Sequence, residues 1–562
     1  MMSRATWLLL FSTILACSSN RPGNLGETCA TEKDCSGGLS CYLATSPGVC
    51  TQTCTESTSC PNGTACAALV SNLGDQLCLN TCTSNASCST GNVCCRALGN
   101  VCVPATKCTG QVVPVNPGDL SCSPRQIING GLIGPVAQPD GCQKPIANIT
   151  YPGAQPQVLG AFQVGSKVNF NVPAGTGTIS ILQQVVDGGA PDTLSFGPTA
   201  TSPNGVVPFQ VTGPDGGVYF DDDFKAGLDL SSLEVAFSSP TAACAAMTLP
   251  NTTQALSHEL GGYQPGIWTL EVNDYAYECS RGDQTVSGCA GGSATQQYDI
   301  QIITKPIMGE KGTIDLGIYL VSDNWTAKAA IADANGAWTR MLDTMAAVYA
   351  GAGICLGNVT FYDMPAWAKA LYATNISATE FAPCSSLDQM FTLSQPGGAI
   401  PLFFVDDVAS SATGGGGQIV GIDGAIPGPA GAGGTVHSGA LVNVTNLLSN
   451  AECINIPAFH DCGADQVAYI AAHEGAHYMG LYHTTESNGA LFDPVGDTSQ
   501  CAPECDLNHD GAMSGPECSD DSSTTESCGG SANTMFWLLS VQARGQFSTD
   551  QGQILRANPA VY

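Results

Sequence analysis

Between Ile149 and Pro306 the apolar residues come in short alternating runs. These are Lys167–Val172, Gly177–Val185, Val206–Thr212, Leu233–Phe237, Gly266–Val272 and Tyr298–Lys305, punctuated by Gly, Pro, Asn and Asp. Alternation at period two turns one face of each strand toward a core and predicts an antiparallel β-sandwich. After Met308 the pattern is mixed. Thr313–Val321 alternates as a strand, whereas Lys328–Tyr349 keeps Ala, Ile, Trp, Met and Leu on one helical face. Gly357–Tyr362, Ile400–Val405 and Ser438–Val444 read as further strands. Asp465 is placed to cap a helix whose buried side opens with Val467, Ala468, Ile470 and Ala471 and which runs to about Met479. Ser548–Gln551 forms a capping box ahead of a short last helix. Gly414–Gly434 is glycine-rich and lacks the G-K-[ST] ending of a phosphate loop, so it reads as a surface excursion.

Cysteines divide the chain further. There are 28, mostly at spacings that zinc modules do not use, which points to an oxidising compartment. Fourteen lie between Cys29 and Cys108 in three units that each open C-x5-C-x5-C: Cys29–Cys50, Cys54–Cys78 and Cys82–Cys102. This block has few large apolar residues and needs disulfides in place of a core. Further expected pairs are Cys122 with Cys142, Cys279 with Cys289, and Cys453 with Cys462. The chain is therefore expected to be multidomain. Residues 1–16 are a signal peptide, 17–28 a tether, 29–108 disulfide-rich repeats and 109–121 a linker. Residues 122–306 are an all-β sandwich and 307–562 an α+β domain.

The net charge is −30 with only 17 Lys and Arg, which argues against nucleic acid as a partner. Met1–Arg4 is positively charged and Ala5–Ala16 is apolar but too short to span a membrane as a mature helix. This segment ends I-L-A-C at Ile14–Cys17, which resembles a bacterial lipobox. The resemblance implies cleavage before Cys17, lipid on its thiol and amino group, and, with Ser18 following, sorting to the outer membrane.

The chemistry concentrates in A-A-H-E-G-A-H-Y-M-G-L-Y-H, residues Ala471 to His483. His473 and His477 are four apart and share one helical face, so both can reach one ion. Glu474 lies about 100° further round, beside the ion and not on it, where it can move protons. Gly480 falls where a helix end uses positive φ, and the turn brings back His483. Three protein ligands with a fourth position open mark a catalytic zinc site. A helix with incidental histidines is the plainer reading, and the glycine and third histidine at these offsets speak against it.

This H-E-x-x-H-x-x-G-x-x-H motif resembles that of the metzincin zinc endopeptidases. The resemblance implies an α+β metzincin-like peptidase domain, protein or peptide substrates bound as extended segments, and a methionine turn beneath the histidines. Met535 in N-T-M-F-W is the candidate for that turn, and Trp537 stands where some members carry a zinc-reaching tyrosine. Asp493, Asp497 and Thr498 form a D-x-x-x-D-T element similar to that of the pappalysin-like branch, with Ser499 where that branch has proline. By analogy with the family, the strand at Ser438–Val444 borders the cleft. The segments G-I-W-T-L-E-V-N-D and Y-D-I-Q-I-I-T-K-P look like jelly-roll accessory domains of secreted peptidases.

Between these parts lies D-L-N-H-D-G-A-M-S-G-P-E, which follows the EF-hand loop position by position. Asp506, Asn508, Asp510, the Ala512 carbonyl, Ser514 and a bidentate Glu517 would supply hard oxygen ligands suited to Ca2+. Pro516 and the flanking Cys501, Cys505, Cys518 and Cys528 oppose the usual helix pair. The acidic run Asp221–Asp223 is a second, weaker calcium candidate, read first as a solvated loop. The sequence therefore leads to an exported, lipid-anchored zinc endopeptidase. Two alternatives stand beside it: a surface adhesin that keeps a peptidase fold, and a precursor whose front half is removed.

Overall fold

The computed structural model describes short stretches between residues 28 and 104. It then describes, with brief interruptions, residues 120–139, 154–221, 241–274, 295–409, 420–445, 463–519, 528–538 and 546–562. The chain divides into two compact units, Met1–Thr109 and Gly110–Tyr562. Cys17, Cys142, Leu233–Phe237, Asp222, Asp223, Cys279, Cys289, Cys453 and Cys462 lie outside the described residues. Among the described residues no helix is long and apolar enough to cross a membrane.

The first unit is held by small hairpins and disulfides. In the second cysteine repeat Cys54 bonds Cys66 and Cys60 bonds Cys78, while in the first Cys35 bonds Cys50. Thr64–Ala68 pairs with Gln76–Asn80 between them.

The second unit opens with strand β1 (Gln126–Leu132), and here the sequence expectation needs correction. β1 does not join the sandwich. It pairs in parallel with a strand more than two hundred residues later, and Cys122 bonds Cys355 instead of Cys142. The sandwich follows. One sheet contains β2 (Gln155–Gln163), β4 (Thr176–Val185), β7 (Cys244–Leu249) and β9 (Gln297–Pro306), in the order β7-β4-β9-β2. The other contains β3 (Lys167–Val172), β5 (Gly205–Thr212), β6 (Val218–Asp221) and β8 (Gly266–Asp274), in the order β3-β8-β5-β6. All these pairings are antiparallel. β3 alternates strictly between exposed and buried, as its sequence predicts. Trp268 is fully buried between the sheets, with Tyr219 4.4 Å and Tyr263 5.6 Å from its ring.

The sheet containing β4 is covered on its outer face as well. Leu182, Ala246 and Ile303 belong to the same buried cluster as the residues around the zinc motif. Helix α1 (Thr253–His258) follows β7 and packs its Leu256 against that cluster.

The C-terminal part is built on a six-stranded sheet. Its strands are β10 (Gly312–Leu320), β11 (Ile354–Asp363), β12 (Ile400–Val405), β13 (Gly421–Asp423) and β14 (Ala440–Asn443), with β1 at one edge. The order is β13-β14-β12-β10-β11-β1, all parallel except β13. β12 is buried at every position, as expected for a parallel strand covered on both faces. The expected long helix from Lys328 is two helices, Ala327–Ala332 and Ala337–Gly351 (α2), separated at Asp333, which adopts φ 42°. The break is local: the Asp333 carboxylate accepts from Trp338 N and Thr339 N and so caps the second helix.

Helix α3 (Gly463–Tyr478) carries the zinc motif and packs on α2. Asp465 does not cap it. Its carboxylate is fully buried and bonds Arg340 at 2.6 Å and Thr344 at 2.6 Å on α2. The glycine of H-E-G-A-H has a packing reason. A Cβ on Gly475 would lie 2.5 Å from the Tyr349 hydroxyl, which donates to Ala472 O. The last helix, α4 (Thr549–Ala557), is opened by the predicted capping box of Ser548 and Gln551.

Two further expectations change at the β13 edge. The strand at 440–443 is one position inside the sheet; the edge strand is β13, within the glycine-rich run. The described part of that run is also no surface excursion. Ala425, Ala430 and Ala432 are buried, and a Cβ on Gly428 would meet the Tyr478 ring at 2.1 Å. Its glycines allow close packing where flexibility was expected.

Candidate metal centre

The end of α3 sets the histidine geometry. Gly480 N donates to His477 O and Leu481 N to Ala476 O, the paired bonds of a Schellman cap, with Gly480 at φ 109°. The chain reverses there and brings His483 to within 3.2 Å of His473, measured between the two Nε2 atoms. One ligand atom from each of His473, His477 and His483 lies within 4.8 Å of the others. Two nitrogens held tetrahedrally at zinc distances are about 3.3–3.4 Å apart, so the His473–His483 spacing fits.

Each ring is oriented through its other nitrogen. His473 Nδ1 is 2.6 Å from Thr534 O, His477 Nδ1 is 2.6 Å from Leu481 O, and His483 Nδ1 is 3.1 Å from Glu486 Oε1. A carbonyl or carboxylate oxygen only accepts, so in the neutral rings Nδ1 carries the proton. That leaves Nε2 of each ring as the nitrogen with a lone pair, those of His473 and His483 3.2 Å apart and His477 within the same cluster. Lone pairs crowded together repel unless a cation sits among them, and oriented neutral imidazoles are the usual ligands of zinc. Burial lowers His473 to about 3, with the charge of His483 adding to the effect. Burial, then its two histidine neighbours, lowers His477 well below the ordinary range.

Glu474 points from α3 toward the edge strand. It is buried, and burial raises it to about 8. A Cβ on Gly421 would lie 2.2 Å from Glu474 Oε1, so glycine there leaves the carboxylate its place against β13. Asp423, two residues along the same strand, has its Oδ1 buried with no hydrogen-bond partner among the described residues. Burial and then the Glu474 carboxylate push Asp423 well above the usual range.

Met535 is fully buried in the main core, and its carbonyl accepts from Thr484 N, next to His483. Trp537 turns away from the histidines and donates through Nε1 to Met513 O at 2.7 Å. Asp493 and Asp497 also face elsewhere. Asp497 accepts from Ser548 Oγ and Asp550 N at the start of α4. Asp493 is fully buried and accepts from Thr498 Oγ1 and Gln551 Nε2.

No protein-family model matches this chain, and no curated protein is similar to it.

The loop from Asp506 to Glu517 is closed by Cys501–Cys518 and Cys505–Cys528. Among the described residues the one helix that flanks it is a single 3-10 turn, Pro503–Cys505. Asp506 Oδ2 accepts from Gly511 N, Asn508 Oδ1 from Asp510 N, and Asp510 Oδ1 from Ala512 N. Asp506 Oδ1 is buried with no hydrogen-bond partner among the described residues. Glu517 accepts from Leu507 N, Asn508 N and both Ser514 donors. Burial alone would raise Glu517, but those bonds outweigh it and hold the carboxyl below its ordinary value. His509 sits at φ 58° and faces solvent.

Sequence reasoning missed Thr534, Leu481, Glu486 and Gly421. The first two act through backbone carbonyls, which no residue type reports. Glu486 three residues after His483 was the one signal available.

Proposed function

We propose that this chain is a zinc-dependent endopeptidase of the metzincin type. The observation that carries the reading is the convergence of three oriented Nε2 lone pairs beside the buried carboxyl of Glu474. His473, His477 and His483 hold the ion, which when bound supplies a Lewis acid and an acidified water. Glu474 takes a proton from the attacking water and passes it to the leaving nitrogen. Its burial in a low-dielectric pocket suits this role, because a base near neutral pH both accepts and returns a proton. Among the described residues β13 is the last strand of its sheet, and its outer edge offers backbone groups to an extended segment of substrate, giving affinity with modest sequence selectivity.

The Asp506–Glu517 loop takes Ca2+ through Asp506, Asn508, Asp510, the Ala512 carbonyl, Ser514 and Glu517. The residues around Cys17 support export and lipid anchoring at the outer membrane. A surface adhesin with a dormant peptidase fold is the second reading, favoured by the disulfide repeats and the β-sandwich.

Metal analysis beside an assay on a denatured protein separates the two. The peptidase reading expects about one zinc per chain, cleavage stopped by a chelator, and loss of roughly 10²–10⁴ in rate in Glu474→Ala with zinc retained. Equal cleavage by wild type and Glu474→Ala would overturn the mechanism.

A further inference from the structure

The β-sandwich grips α4 at both ends. At the start of the helix, Thr253 Oγ1 donates to Asp550 Oδ2 at 2.7 Å and accepts from Gly496 N at 2.8 Å, while Thr253 N donates to Pro494 O. At its end, Lys305 of β9 donates through Nζ to Arg556 O at 2.6 Å and Asn558 O at 2.9 Å. Lys305 is 2% exposed, and its ammonium donates to carbonyls at the negative end of a helix. Burying a cation there is costly, and the two carbonyl bonds offset part of that cost. Burial, then the nearby Arg556 charge, lowers Lys305 to about 7, which is consistent with that cost.

The other side of α4 faces the metal centre. Gln551 Oε1 accepts from Asn533 Nδ2 at 2.9 Å, and Asn533 Oδ1 in turn accepts from Met535 N at 2.8 Å. Between those residues is Thr534, whose carbonyl orients His473. Asn558, just past the helix, is fully buried and donates through Nδ2 to Met479 O at 3.1 Å. Met479 opens the Gly480 turn, and Leu481 in that turn orients His477. One short helix thus stands directly behind the carbonyl partners of two zinc histidines.

We propose that the sandwich sets the zinc centre through α4, with Gln551 and Asn558 as positioning residues and Lys305 and Thr253 as the sandwich's hold on them. This rests on the peptidase reading above and adds an intramolecular control to it. The sandwich is then part of the metal centre's support and not a detachable substrate-binding accessory. The continuous packing of Leu182, Ala246 and Ile303 with the core around α3 agrees.

The test uses the full chain. Zinc dissociation is measured by chelator competition, the visible spectrum of the cobalt-substituted protein is recorded, and folding is followed by circular dichroism. Asn558→Ala should raise the zinc Kd by about threefold, less than the roughly tenfold or more that follows loss of a direct outer partner of a metal ligand, because Asn558 acts one step further out. Lys305→Met, which keeps the apolar stem, should move Kd in the same direction by less, and both should alter the cobalt band. Thr253→Val gives a third reading at the other end of α4 should either buried variant fail to fold. Folded variants with wild-type zinc affinity and an unchanged cobalt spectrum overturn the proposal while leaving the peptidase reading intact. A wild type without stoichiometric zinc removes the peptidase reading, and this proposal falls with it.

Discussion

Gly421 and Glu474 are so close that the carboxylate occupies the place of a side chain: a Cβ on Gly421 would lie 2.2 Å from Oε1 and 2.6 Å from Cδ of Glu474. Gly421→Ala must therefore displace the carboxylate. Displacement of a catalytic group by about 1 Å can cost about a hundredfold in rate. We expect kcat/KM to fall by about that factor, with zinc content and thermal midpoint close to wild type. Retention of full activity would show that Glu474 has room the structure does not give it.

Glu486 is the one side-chain partner among the three that orient the histidines. Its 3.1 Å contact with His483 Nδ1 fixes which ring nitrogen is left for a metal. Glu486→Ala should weaken zinc binding by about 10–100-fold, and Glu486→Gln, which keeps an acceptor, should recover most of it. Chelator competition on the three proteins reads this directly. If alanine and glutamine behave alike, the contact is incidental.

Asp493 gives a stability change with a defined sign. Burial raises it to about 8 from an ordinary 3.8, despite its bonds from Thr498 and Gln551. The folded chain keeps this proton up to that pH, whereas the unfolded chain loses it near the ordinary value. The folded state therefore binds more protons between the two, and stability falls as pH rises, by about 1.4 kcal/mol per unit at most. Lys305 acts oppositely above about 7, because its folded form loses a proton early. Denaturant titrations of wild type and Asp493→Asn between pH 4.5 and 6.5 avoid that overlap, and their difference cancels other groups. The wild-type slope should be steeper, and parallel slopes would refute the assignment.

Calcium should raise the thermal midpoint. A ligand at a hundred times its Kd stabilises by about 2.7 kcal/mol. Asp510 is exposed, and its Oδ1 bonds Ala512 N within the loop, so Asp510→Ala leaves the surrounding core untouched. The variant should lose the calcium-dependent rise while keeping its zinc. An unchanged rise would place any bound calcium elsewhere.

Much of this was readable in advance where side chains carry the pattern. The alternation of Lys167–Val172 matches its burial position by position. The histidine spacing led to three ring nitrogens that do converge. What escaped notice depends on neighbours distant in sequence. β1 has no alternation to detect, since nearly all of Gln126–Leu132 is exposed on both faces, so its place in the sheet follows from β11. β13 lay hidden in a glycine run because its glycine is demanded by Glu474, fifty-three residues on. The break near Asp333 hid inside good helical periodicity because a single left-handed residue leaves the apolar spacing almost intact.

The placement of β1 has a consequence for how the chain survives cutting. Its strand is synthesised before the sandwich, but its partners β11 and Cys355 come after it. A protease that nicks any loop between residues 140 and 306 therefore does not shed the front of this unit. The two pieces stay joined by the Cys122–Cys355 bond and by the sheet, and part on a gel only after reduction and denaturation. A cut that sheds everything in front of it has to fall ahead of Cys122 and leaves the sandwich attached, and a shortened chain begun at residue 307 would lack one edge of its own sheet.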